Sequence, residues 1–97
     1  MLTHIVVWKY KPEVSEEQRR DHVERLRRLD GLIPEIRSFA VGRDVLKLPR
    51  SYHTGLVATF HDRAGLEAYD AHPEHQAVAQ LGRTISEHVV SVDFEAD

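Results

Sequence analysis

Residues 3–11 are rich in β-branched and aromatic side chains and read as a strand. Alternation puts His4, Val6, Trp8 and Tyr10 on one face, and Ile5, Val7 and Lys9 on the other. A strand that is apolar on both faces belongs to a sheet covered on both sides. That requirement governs what a chain of 97 residues can become. Its own helices can supply one cover; something else must supply the second.

Pro12 has no amide proton to give and ends this strand. Ser15, with Gln18 three residues on, makes a capping-box pattern. Val23, Leu26 and Leu29 at helical spacing predict a helix reaching about Gly31, where the glycine and Pro34 stop it. A second strand is expected over 36–46, with a bulge, because Ile36, Phe39 and Val41 do not share one phase. Residues 53–61 form a third, with Leu56, Ala58 and Phe60 facing one way and Val57 and Thr59 the other. Asp62 caps a second helix holding Leu66 and Tyr69. His72-Pro73 breaks it, and Pro73 suits the first position of a new helical segment with His75, Val78, Ala79 and Gly82 on one side. The last strand, over 88–95, sets Val90, Val92 and Phe94 against Val89, Ser91, Asp93 and Glu95.

The order βαββαβ is the ferredoxin-like α+β pattern, read as one domain over 1–97 with a four-stranded antiparallel sheet in the order 4-1-3-2. Both helical regions then cover the same face. The opposite face is expected to carry Ile5, Val7, Val57 and Val89, with Phe39 or Val41, and an apolar sheet face of that size calls for a cover. A second copy, sheet against sheet, is expected to provide it as a homodimer. Lys9 and Asp93 are expected on this same face, where an ion pair would fix register across the seam.

Composition narrows the partners. The net charge of -3 argues against nucleic acid, and the arginines at 19, 20, 25, 27 and 28 are interleaved with Asp21 and Glu24, as on the wet face of a helix. With no cysteine there is no disulfide framework, thiolate catalysis or thiolate metal site. No apolar run approaches the roughly 20 residues of a membrane span, and no secretory leader is visible, so a soluble cytoplasmic protein is expected. No glycine-rich phosphate loop exists, and no cofactor is expected. His72 and His75 lack a convincing third ligand, so no metal centre is expected either.

The one constellation that suits acid/base chemistry is Tyr69 through His75, taken with His4. His75 faces inward with Val78 and Ala79, and β alternation presents His4 beside Val6 and Trp8 toward the same layer. A neutral imidazole can remove an acidic proton next to a carbonyl, while Tyr69 holds the developing enolate oxygen. The same rings also fit a purely architectural role, as polar groups bridging strand to helix. His72 is explained locally by the proline after it. His22, His53, His61 and His88 are expected at the solvent side or at edges, with His53 near a pocket mouth; Trp8 and Tyr10 are expected as core or pocket-wall rings.

The chain resembles the stress-responsive A/B barrel (Dabb) family of dimeric α/β barrels. The resemblance rests on His4 through Lys11, Ile33 to Ile36, Val41 to Asp44, Ala68 to His75, and Val92-Asp93-Phe94, in order over nearly the whole length. It implies a ferredoxin-like protomer whose sheet packs on that of its partner. It does not imply one activity: members include plant stress-induced proteins, bacterial proteins of unassigned function and a plant polyketide cyclase. Similarity to the cyclase implies His75 as general base, supported by Tyr69 and His4. A further pocket tyrosine of the cyclase is replaced here by Leu26, a departure from its chemistry. A pocket lined by His4, Val6, Trp8, Leu26, Tyr69, His75 and Val78 for a small apolar or aromatic carbonyl compound or acid is the resulting expectation. Cyclase-like turnover and a structural stress protein are its alternatives.

Overall fold

The computed structural model describes residues 1–96. The chain runs β1 (Leu2–Tyr10), α1 (Glu16–Arg27), β2 (Ile36–Arg43), β3 (Thr54–Phe60), α2 (Arg63–Ala71), α3 (Pro73–Ile85) and β4 (Ser86–Glu95). The four strands form one antiparallel sheet in the order β2-β3-β1-β4, and the three helices pack on one face of it. This is the ferredoxin-like arrangement that the periodicity predicts.

Local chemistry sets the helix ends. The Ser15 hydroxyl accepts the Gln18 amide at 3.1 Å, and the Gln18 side chain returns to the Ser15 amide at 2.9 Å, completing the capping box. Helix α1 ends at Arg27, earlier than the spacing predicts, and turns carry the chain to Gly31, whose φ of +97° is left-handed backbone that favours glycine. Asp62 caps α2 by accepting the Gly65 amide at 2.9 Å. His72 ends α2 and starts α3: its backbone is extended before Pro73, and its Nδ1 accepts the Glu74 amide at 3.2 Å.

Side-chain phase follows from register. Leu2, His4, Trp8 and Tyr10 of β1, with Leu56, Ala58 and Phe60 of β3, are buried beneath the helices. They meet Leu26, Leu29, Ile33, Leu66, Tyr69, Val78 and Ile85 in one continuous core. Fully burying a side chain such as Phe60 stabilises the fold by about 1.5–3 kcal/mol. The expected bulge in β2 is present as a register shift between Ile36 and Ser38.

The assignments of Val89, Asp93, Phe39 and Val41 to the opposite sheet face change. In β4, Val89 pairs with Trp8 and Asp93 with His4, so both lie on the helix side. The residues that share the open face with Ile5 and Val7 are instead Val90, Val92 and Phe94, the last two being 53% and 41% exposed. Phe39 and Val41 also turn to the helix side, where they pack against the core. Lys9 therefore does not pair with Asp93; its ammonium lies 3.7 Å from Glu87. For Val89, Asp93 and Lys9 the cause is shared: β4 carries apolar residues in both phases, and only pairing with β1 decides which set faces the helices. Phe39 and Val41 are set instead by the β2–β3 ladder, which puts them opposite Ala58 and Leu56.

Candidate functional site

Residues His4, Val6 and Trp8 project from β1 into a cavity of about 270 Å³ between sheet and helices. Leu26 of α1 and Leu56 of β3 add apolar wall; Tyr69, Asp70, His75, Ala79 and Arg83 come from α2 and α3, and Val89, Val90 and Ser91 from β4. The break at His72-Pro73 restarts the helix so that the His75 ring lies against the Tyr69 ring, their centroids 4.2 Å apart. The Tyr69 ring meets His4 edge-on at 5.9 Å. The three rings singled out from sequence thus share one cavity, as do Val6, Trp8 and Leu26. Val78 is the exception: it is buried in the core, and the neighbouring Ala79 lines the cavity.

Hydrogen bonds and burial set the state of His75 and Tyr69. His75 Nδ1 lies 3.2 Å from the Asp70 carbonyl oxygen, which can only accept. The ring hydrogen is therefore on Nδ1, and Nε2 keeps a lone pair. Burial lowers the pKa of His75; the Asp70 carbonyl and charge oppose that shift, and the charges of His4 and Arg83 add to it. His75 is accordingly neutral at pH 7 and can accept a proton. Tyr69, almost wholly buried, is held well above the usual phenol range, mainly by desolvation and further by Asp70, so it remains a hydroxyl donor. Among the described residues no protein group hydrogen-bonds that hydroxyl, which leaves it available to a ligand.

Sequence reasoning placed Asp93 on the wrong face and so missed its partner. Asp93 sits directly across from His4 in the β1–β4 ladder, and its carboxylate takes His4 Nδ1 in a short ion-pair-like contact. The carboxylate accepts, so His4 carries a hydrogen on Nδ1 and its Nε2 is left unengaged by Asp93. The signal that would have found this is the strand register, which depends on two segments nearly ninety residues apart.

A second polar cluster lies deeper. His22, expected toward solvent, is fully buried, 0% exposed, and its pKa is pushed down to about 4 by desolvation. Its Nδ1 is 2.8 Å from the Tyr10 hydroxyl, which is also 2.8 Å from Thr54 Oγ1. Trp8 packs edge-on against its ring at 5.1 Å. The spacing from His22 to Leu26 and Leu29 is the inward stripe of α1, a signal that was present in the sequence. Gly82 of α3 makes room for this cluster, since a Cβ there would come within 2.8 Å of Trp8 Nε1 and 3.1 Å of His22 Nε2.

Comparison with known proteins decides the family. The stress responsive A/B barrel domain profile matches residues 2–96. The chain belongs to the stress responsive A/B barrel domain family. It is 27% identical over 95 residues to olivetolic acid cyclase of Cannabis sativa, an alignment covering 96% of this chain and 94% of that protein. A dimeric ferredoxin-like protein of unknown function from Thermobifida fusca superposes with a TM-score of 0.89 at 26% identity, covering 98% of this chain and 90% of the other. A dimeric ferredoxin-like protein of unknown function from Bacteroides fragilis gives a TM-score of 0.85 at 25% identity, over 98% and 95% of the two chains. The two solved structures are both described as dimeric and ferredoxin-like, and no activity is named for either. No helix among the described residues is long and apolar enough to cross a membrane.

Proposed function

We propose that this A/B barrel protein binds a small, partly apolar carbonyl compound or aromatic acid in the cavity between sheet and helices. The observation that carries this reading is the convergence of His4, Tyr69 and His75 on one apolar-walled space of about 270 Å³, with the Tyr69 hydroxyl uncommitted to protein. Val6, Trp8, Leu26 and Leu56 would hold the apolar body. The carbonyl or acid group would meet the three polar rings.

Turnover is the second reading, favoured by the neutral His75 and by the 27% identity to a cyclase. In it, His75 Nε2 takes a proton from carbon next to the ligand carbonyl. The C–H electron pair moves to the carbonyl oxygen, and the Tyr69 hydroxyl hydrogen-bonds the resulting enolate. His4, oriented by Asp93, accepts from a ligand hydroxyl through Nε2. Leu26 supplies no hydroxyl from α1, so any reaction here relies on these residues without help from that helix. The lowered pKa of His75 moves the midpoint of the acidic limb of such a rate profile below pH 6.5.

Self-association completes the reading. Val57, Val90, Val92 and Phe94 are each at least 41% exposed on the open sheet face, and a second copy covering this face would form the barrel.

Native mass spectrometry and thermal shift with benzoate-type acids and β-diketones, run on wild type and on His75→Ala, test the ligand. Binding by wild type that weakens at least tenfold in the variant supports the pocket. No binding by either, with the variant only less stable, supports a structural role for the rings. Turnover that survives in His75→Ala would eliminate His75 as the base.

A further inference from the structure

The geometry points to a second ligand site: a hollow at the far end of β1 that takes a small tetrahedral oxyanion, phosphate or a phosphate monoester. This hollow has a volume of about 330 Å³, lies between the start of α1, the end of β2 and the loop before β3, and shares no lining residue with the cavity of His4, Tyr69 and His75.

Its lining is rich in uncommitted donors. Arg43 grips both carboxylate oxygens of Glu16 with its two terminal nitrogens, yet its Nε is buried with no hydrogen-bond partner among the described residues. His53 Nδ1 accepts the Tyr10 amide at 2.9 Å, which puts the ring hydrogen on Nε2. The Ser51 hydroxyl oxygen accepts the Leu48 amide at 3.2 Å and so keeps its own proton to give. Arg19 spends Nε on the Val14 carbonyl and Nη2 on that of Lys11, leaving Nη1. Lys47 stands at the rim, on backbone with a φ of 54°, with its ammonium unpaired among the described residues.

Three of the four carboxylate oxygens on the same walls are already engaged. Both Glu16 oxygens hold Arg43, and Asp44 Oδ2 takes the Lys47 amide at 2.6 Å. Three cations and an imidazole N–H therefore face two carboxylates that keep a single unengaged oxygen, Asp44 Oδ1. A hollow with a surplus of donors on several sides is satisfied by an acceptor with oxygens on several sides; chloride offers one centre and a carboxylate a flat pair. A tetrahedral oxyanion matches the inventory, and its charge offsets the desolvation that an unpaired guanidinium nitrogen otherwise suffers.

The test is a titration of the full chain with inorganic phosphate at constant ionic strength, chloride making up the difference. The ring signals of His53 and His75 are followed by long-range proton–nitrogen correlation. The expected result is a saturable shift of His53 with His75 unmoved, and affinity weakened about fivefold in Lys47→Gln through loss of one charge-assisted contact. Ser51→Ala, run alongside, gives a similar weakening without altering net charge. Methyl phosphate in a parallel titration identifies the source, binding more tightly than inorganic phosphate if the natural ligand is an ester and less tightly if it is the free ion. A drift that does not saturate, that moves His53 and His75 alike, or that is unchanged in both variants overturns the proposal.

Discussion

Acid should destabilise this fold through His22. The native state keeps the ring neutral down to a pKa of about 4, because it is fully buried between Trp8, Tyr10 and Gly82. An unfolded chain protonates its histidines near pH 6.5. Below that pH the unfolded state binds a proton that the native state refuses, so stability falls as pH falls. The loss stops near pH 4, where the native ring also protonates. Each unit of difference is worth about 1.4 kcal/mol, so His22 alone withdraws roughly 2–3 kcal/mol between pH 7.5 and 4.5. His53 and His75 are lowered as well and act in the same direction, so the wild-type profile is not sufficient by itself. His22→Asn isolates the effect: asparagine can keep a polar atom near the Tyr10 hydroxyl but cannot titrate. Urea unfolding followed by the fluorescence of Trp8 at fixed protein concentration, at pH 7.5 and 4.5, gives the four free energies. The variant should be the less stable at pH 7.5, from lost packing, and should close or reverse that gap by roughly 2–3 kcal/mol at pH 4.5. A gap that is the same at both pH values would refute the claim that His22 is buried neutral.

Three further outcomes follow from the geometry. Val92→Asp places a carboxylate on the open sheet face and should give monomer, or unfolded chain, in sedimentation equilibrium at low micromolar concentration, where wild type should show at least twice 11.2 kDa; a normal dimer from this variant would move the interface elsewhere. Gly82→Ala should destabilise by about 1–3 kcal/mol in urea unfolding despite alanine's better helix propensity, because its Cβ lands on Trp8 and His22. An unchanged or raised midpoint would show that those rings can yield. Asp62→Ala should cost about 1 kcal/mol by removing the cap on the Gly65 amide, with the sheet intact by circular dichroism.

The sequence made local features legible and left long-range phase unreadable. Ser15 with Gln18, Asp62, and the His72-Pro73 restart are set within a few residues, and each appears where the pattern puts it. The inward phase of His4, Tyr69 and His75 follows from alternation or helical spacing inside one element, which is why three rings could be named together. Whether Val89 or Val90 faces the helices is different, because β4 is apolar in both phases and only its ladder with β1 breaks the tie. Asp93 went to the wrong face for that reason, and the His4–Asp93 pair was hidden with it. His22 was misplaced for a simpler one: an ionisable residue on an inward stripe was read by its chemistry rather than by its spacing to Leu26.

The claim on which the functional account stands is that a ligand lies among His4, Tyr69 and His75. Intermolecular nuclear Overhauser effects from an aromatic acid, retained in the native-mass screen, test it most directly. The account predicts contacts from the ligand ring to the side-chain protons of Val6, Leu26 and Tyr69 and to the ring of His75, all of which line the same cavity. Contacts confined to the open sheet face around Val92 and Phe94, or to the hollow of Arg43 and His53, would contradict it.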